Sequence, residues 1–144
     1  MAALAQAFEN YAKPGIVVNY KVAAATTIYK GALVGVNSSG FVVPMNHATA
    51  NLKFLGFAEE TVVNSGADGD KSVRVTKTGS GVYVDPSGIV QADIGKEVYA
   101  KTDNEVQISA IGLTNAYKVG TILGLETTST GVAGVRVRVD NYSV

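Results

Sequence analysis

The sequence predicts an all-β chain: a compact, sandwich- or barrel-like domain behind an N-terminal arm, with at most one or two short helices. Three observations carry this. Short runs of β-branched and aromatic residues recur, as at Ile16–Val22, Leu33–Val36 and Val135–Val139. Clusters of Gly, Asn, Asp and Ser separate them, drawing on sixteen glycines. Beyond the first dozen residues there is almost no helical period.

Length and composition bound the class. A chain of 144 residues fits one domain with a substantial core, divided here into an arm over residues 1–15 and a β-rich domain over 16–144. Twelve basic residues balance twelve acidic ones, so neither nucleic acid nor an anionic membrane is the expected partner. Charged residues make up only 17% of the chain, against about 25% in ordinary soluble domains, a sparseness that suits a surface held against other proteins. Without cysteine there is no disulfide, thiolate metal site or cysteine nucleophile. The opening residues lack the basic start and apolar run of a secretory signal, and no stretch approaches the roughly 20 apolar residues of a membrane span. A soluble protein of a cytoplasm is expected.

In chain order, Ala2–Ala12 has helix-favouring composition, with Leu4, Ala5, Phe8, Tyr11 and Ala12 near i, i+3, i+4, i+7 spacing. Isolated helices below about 12–15 residues are marginal in water, so this arm needs something to dock on. Pro14-Gly15 ends it, and Ile16–Val22 reads as a strand. Leu33–Val36, the turn Asn37-Ser38-Ser39-Gly40 and Phe41–Pro44 form a hairpin. Phe54, Leu55 and Phe57 around Gly56 give a bulky apolar anchor that leads through Glu59-Glu60-Thr61 into the turn-rich run Asn64–Asp70. Val73 and Val75 then alternate with Arg74 and Thr76, and Gly79-Ser80-Gly81 is read as a turn into Val82-Tyr83-Val84. The hairpin habit returns at Ala92–Ile108 and at Lys118–Val139, where Val135, Val137 and Val139 alternate with Arg136 and Arg138. These copies share no fixed period. Gly31, Gly95 and Gly120 precede strands as a bulge, a tight bend or an ordinary loop glycine, and a short helix is predicted near Ile111–Tyr117.

Residues that carry chemistry are few. His47, the single histidine, sits in a polar crossing loop without an identifiable nucleophile or orienting group. Glu59 and Glu60 are adjacent, and neighbours on a strand point to opposite faces. Asp68-Gly69-Asp70 lacks the alternating oxygen ligands and closing glutamate of a calcium loop. Gly79-Ser80-Gly81 lacks the third glycine and the helix of a phosphate cradle. Arg136 and Arg138 form a small basic patch or a solvated sheet face. The balance points to a structural or binding module rather than an enzyme, with no cofactor and no metal expected.

The run Ile28–Val36, then Gly40–Pro44, Phe54–Thr61, Asp68-Gly69-Asp70, Val73-Arg74-Val75, Gly95–Ala100 and Val119–Gly124 together resemble, in order and spacing, a family of small capsid cement, or decoration, proteins of tailed bacteriophages. The likeness covers roughly residues 16–139. It implies a β-rich domain that binds the outer surface of the mature head as a homotrimer. There it clamps adjacent major capsid protein subunits and stabilises the shell against packaged DNA, within the virion assembled in the host cytoplasm. It also implies an arm that contacts the capsid, commonly by strand addition, which assigns capsid contacts to Leu4, Phe8, Tyr11, Ile16, Val17, Val18 and Tyr20. Glu59, Glu60, Asp68 and Asp70 are assigned to a sister-subunit or capsid contact. Two other readings stand beside it: a phage tail or fibre component, and a small β-barrel ligand-binding domain or enzyme with a polar site at those four acids.

Overall fold

The computed structural model describes residues 5–7 and 15–141. Twelve strands follow in order: β1 (Val17–Lys21), β2 (Thr26–Ile28), β3 (Leu33–Val36), β4 (Val42–Pro44), β5 (Lys53–Ala58), β6 (Val62–Asn64), β7 (Ser72–Thr76), β8 (Thr78–Val84), β9 (Glu97–Ala100), β10 (Val106–Gln107), β11 (Lys118–Thr127) and β12 (Ala133–Asp140). One 3-10 turn, Gln91–Asp93, is the single helical element among the described residues. The predicted all-β class is what the chain adopts. Most of the N-terminal helical stretch lies outside the described residues; Ala5, Gln6 and Ala7 within it are exposed.

The strands form two five-stranded sheets and a two-stranded ribbon, β2–β6. The first sheet runs β1-β7-β5-β3-β4 and the second β8-β12-β11-β9-β10. Setting the ribbon aside, each sheet uses its strands in the order first, fifth, fourth, second, third, with every ladder antiparallel. The chain is therefore a duplicated unit, residues 17–76 and 78–140, joined by Lys77 alone.

The correspondence reaches single residues. The second and fourth strands of each unit carry a bulge, at Leu55 against Val34/Gly35 and at Val119 between Lys118 and Gly120. Beside each bulge lies a glycine, Gly56 or Gly120, where a Cβ would overlap a carbonyl oxygen of the fifth strand, that of Thr76 or of Arg138. Gly31 N–H donates to Ala58 O at 2.8 Å and Gly95 N–H to Ile122 O at 2.9 Å, both glycines at positive φ, 86° and 89°. One isolated parallel bridge joins the first strand to the third in each unit, Val22 to Val42 and Val84 to Glu105. Both sheets curl toward closure and stop short of a barrel.

Two cores follow. The first unit's interior holds Val34, Val42, Leu55, Ala58, Val73 and Val75, with Ile28 of the ribbon as its cover. The second unit's interior holds the counterparts Val98, Val106, Val119, Ile122, Val135 and Val137, and its cover is the first sheet's opposite face, through Leu33, Met45, Leu52 and Phe54. The first sheet is therefore buried on both faces, which is why β5 reads Phe-Leu-Gly-Phe-Ala without alternation. The second sheet faces water on its outer side, and β12 alternates cleanly, Val135, Val137 and Val139 in, Arg136 and Arg138 out.

Two expectations are corrected. Gly79-Ser80-Gly81 is no turn: it lies within β8, paired along β12 from Val139 to Val137, because β7 and β8 belong to different sheets and the chain needs only Lys77 to pass between them. Ile111–Tyr117 is a looped segment rather than a helix; Gln107 Nε2 donates to Ser109 O and Ile111 O, and Thr114 and Asn115 are tied to His47. Those tertiary bonds outweigh a weak local preference.

Candidate functional site

The four acids predicted as a contact cluster each hold a local bond. Glu59 accepts from Thr76 Oγ1. Glu60 pairs with Arg74 at 3.0 Å and also takes the Arg74 N–H, and this hydrogen-bonded guanidinium holds its carboxyl below the usual range. Asp68 Oδ1 accepts from Ala24 N–H at 2.7 Å, and Asp70 Oδ2 from Ala67 N–H at 2.9 Å, so these two brace the loop on which they sit. Among the described residues no group of three or more His, Asp or Glu side chains is placed to hold a metal ion.

Asn64 organises that loop, and sequence reading passed it over as one turn residue among many. It is 1% exposed. Its amide shares two hydrogens among Val22 O, Ala23 O and Ala67 O at 2.9–3.1 Å, while Oδ1 accepts from Gly66 N–H. His47 is likewise structural: its Nδ1 accepts from Thr114 N–H at 3.1 Å, stapling the crossing loop to residues 110–116.

Of the residues assigned to the arm, Leu4, Phe8 and Tyr11 lie outside the described residues. Ile16 and Val17 are exposed, whereas Val18 and Tyr20 are half-buried, Tyr20 against the first core and within 3.1 Å of Lys77 Nζ. The strand they form is already paired on one side. Ile16 O accepts from Lys77 N–H and Val22 N–H donates to Lys71 O, so even-numbered residues bond to β7. Odd-numbered Val17, Asn19 and Lys21 turn their backbone groups outward, along the margin of the sheet.

Lys77 is a second residue missed from sequence. Only 3% exposed, it lies 5.6 Å from the Tyr20 ring centroid and receives Asn141 N–H on its carbonyl, tying the joint between the units to the end of the second.

Grooves open between the units, two of which gather charged or phenolic side chains. One, of about 620 Å³, is lined by Lys53, Tyr117, Lys118, Arg138 and Asp140, with Lys118 paired to Glu97 at 2.6 Å and Arg138 to Asp140 at 3.5 Å. The other, of about 390 Å³, is lined by Tyr29, Lys30, Tyr83, Asp103 and Thr128. Burial holds the Asp103 carboxyl above its ordinary range and the Tyr83 phenol far above its own. Neither groove brings His47 against a hydroxyl. What the surface offers instead is apolar: Ile16 and Val17 at the margin of the first sheet, and Leu123, Leu125 and Val132 on the β11–β12 hairpin, all at least 40% exposed. No protein-family model matches the chain, and no curated protein matches it in sequence.

Proposed function

We propose that the protein is a structural component of a tailed-phage virion that attaches to the outer surface of the mature head as a trimer and clamps neighbouring major capsid protein subunits. The observation that carries this reading is where the N-terminal segment joins the domain. It enters through Ile16, 56% exposed, at the outermost strand of a sheet, and Ala5–Ala7 are exposed. Ile16 and Val17, exposed at this entry point, are free to be covered by something outside their own domain. Three such segments on one trimer engage adjacent subunits at high effective concentration, so individually weak grips add to a durable clamp. Sparse charge and the ordered resemblance to decoration proteins support the same reading.

The test is sedimentation with expanded, undecorated heads. The full chain is expected to co-sediment at micromolar concentration. A variant lacking residues 1–15 should keep its β-sheet circular dichroism and bind less. An intact chain that stays in the supernatant would sink the proposal, and labelled protein seen on tails in electron micrographs would replace the head with the tail.

A further inference from the structure

The two units differ most where the fourth strand runs past the sheet. In the first unit, Ala58 is followed by Glu59-Glu60-Thr61 and then β6, whose edge is filled by β2: Thr26 faces Asn64, Thr27 faces Val63 and Ile28 faces Val62. Ile28 is fully buried there. In the second unit, Ile122 is followed by Leu123-Gly124-Leu125-Glu126-Thr127, and among the described residues no strand fills the matching edge. The segment corresponding to β2 coils into the 3-10 turn Gln91–Asp93, leaving Val90 and Ile94 exposed. Beyond the bonds of Ile122 to Gly95 and Lys96, β11 has no backbone partner on that side among the described residues. Thr128 N–H donates to Val132 O, which puts Gly124 and Glu126 in register with β12 and turns the backbone groups of Leu125 and Thr127 to the open side.

The edge is apolar and unpaired at once. Leu123 and Leu125 are 45% and 44% exposed, with Ile94, next to Gly95, alongside the start of the strand. Such an edge invites association unless it is covered. Among the described residues the outer edge of β1 is a complementary element of the same kind. It too is five residues long, opens on β-branched Val17 and Val18 like the Thr-Thr-Ile of β2, carries a single charge at Lys21, and is exposed at Val17, Asn19 and Lys21. Charge agrees with the match: Lys21 makes no ion pair among the described residues, while Glu126 holds Arg136 only at 3.8 Å.

We propose that the open edge of β11 is filled by β1 of a second copy of this chain, head to tail, as β2 fills the corresponding edge within the first unit. Because the two edges are different surfaces, the contact is heterologous and repeats until a ring closes. This rests on the self-association in the proposed function and not on attachment to a head.

The chain has no cysteine, so cross-linking is clean. Val17→Cys or Asn19→Cys protein is mixed in concentrated solution with Leu125→Cys or Thr127→Cys protein and oxidised. Mixed dimers are expected, with no dimer from either variant alone, and V17C/L125C chains should give a ladder ending at the ring. Leu125→Cys dimers formed alone would mean a β11-to-β11 contact and overturn the proposal, as would a mixture that fails to cross-link. In parallel, L123D/L125D, which alters only exposed side chains, should keep its circular dichroism and sediment as a monomer; an unchanged oligomer would also overturn it. Heads that take up protein whose mixtures do not cross-link would leave attachment standing and remove this interface. Cross-linking without uptake would do the reverse.

Discussion

The two units share strand order, bulges and a close-approach glycine, yet one is wrapped and the other is not. The first sheet has a core on both faces, capped by the β2–β6 ribbon on one and by the second unit on the other. The second sheet has one core and one wet face. Identical topology therefore sets where side chains point, whereas the environment of each sheet decides which of them must be apolar. That division explains why residue identity is kept between the units at Gly31/Gly95, Gly56/Gly120 and Tyr20/Tyr83, and lost at Glu59/Leu123.

The strongest way to break the comparison is at the paired glycines. Gly56→Ala and Gly120→Ala each drive a methyl into a β-ladder carbonyl, and each should cost at least about 3 kcal/mol in urea unfolding. Gly124→Ala, which meets open space, should change stability by less than about 0.5 kcal/mol. A cheap G56A beside a costly G120A would show that the bulges are not equivalent.

A smaller effect separates the units instead of equating them. Asn64→Ala leaves Val22 O and Ala23 O without their side-chain donor and should cost about 2 kcal/mol. Hydrogen exchange should quicken in the β2–β6 ribbon while β9–β12 stay protected. Uniform loss of protection across both sheets would mean that the ribbon is not a separable cover.

The smallest effect is read in alkali. Tyr83 is buried and its phenol is raised well above the ordinary tyrosine pKa of about 10. Above that pH the unfolded chain ionises while the folded phenol stays neutral, so stability is full below about pH 10 and declines as pH climbs past it. Tyr83→Phe should flatten that part of the decline. An unchanged slope would assign the alkaline loss to other groups.

Much of this architecture was legible in the sequence. Alternation at Val73/Val75 and Val135/Val137/Val139, and turns such as Asn37–Gly40, report local geometry, and the strands stand where those signals put them. The duplication was hidden because hairpins were compared with hairpins: the β11–β12 hairpin corresponds not to β3–β4 but to β5 and β7, which the acidic loop and β6 separate in the chain. Gly79-Ser80-Gly81 looked like a turn because glycine usually is one; in β8 Gly81 instead makes room for the Tyr83 ring. The open edge of β11 was invisible for a different reason, since an unpaired strand and a paired one have the same composition. Asn64 and Lys77 gave no periodic signal, because one buried polar side chain at a turn or joint leaves none.

The double-sided first sheet also imposes an order in time. Synthesis delivers residues 17–76 before 78–140, so Leu33, Met45, Leu52 and Phe54 wait as a sticky apolar face until the second unit arrives to cover them. A chain stopped at Lys77 would hold the complete strand set of its first sheet with that face bare, and is expected to aggregate where the full chain does not.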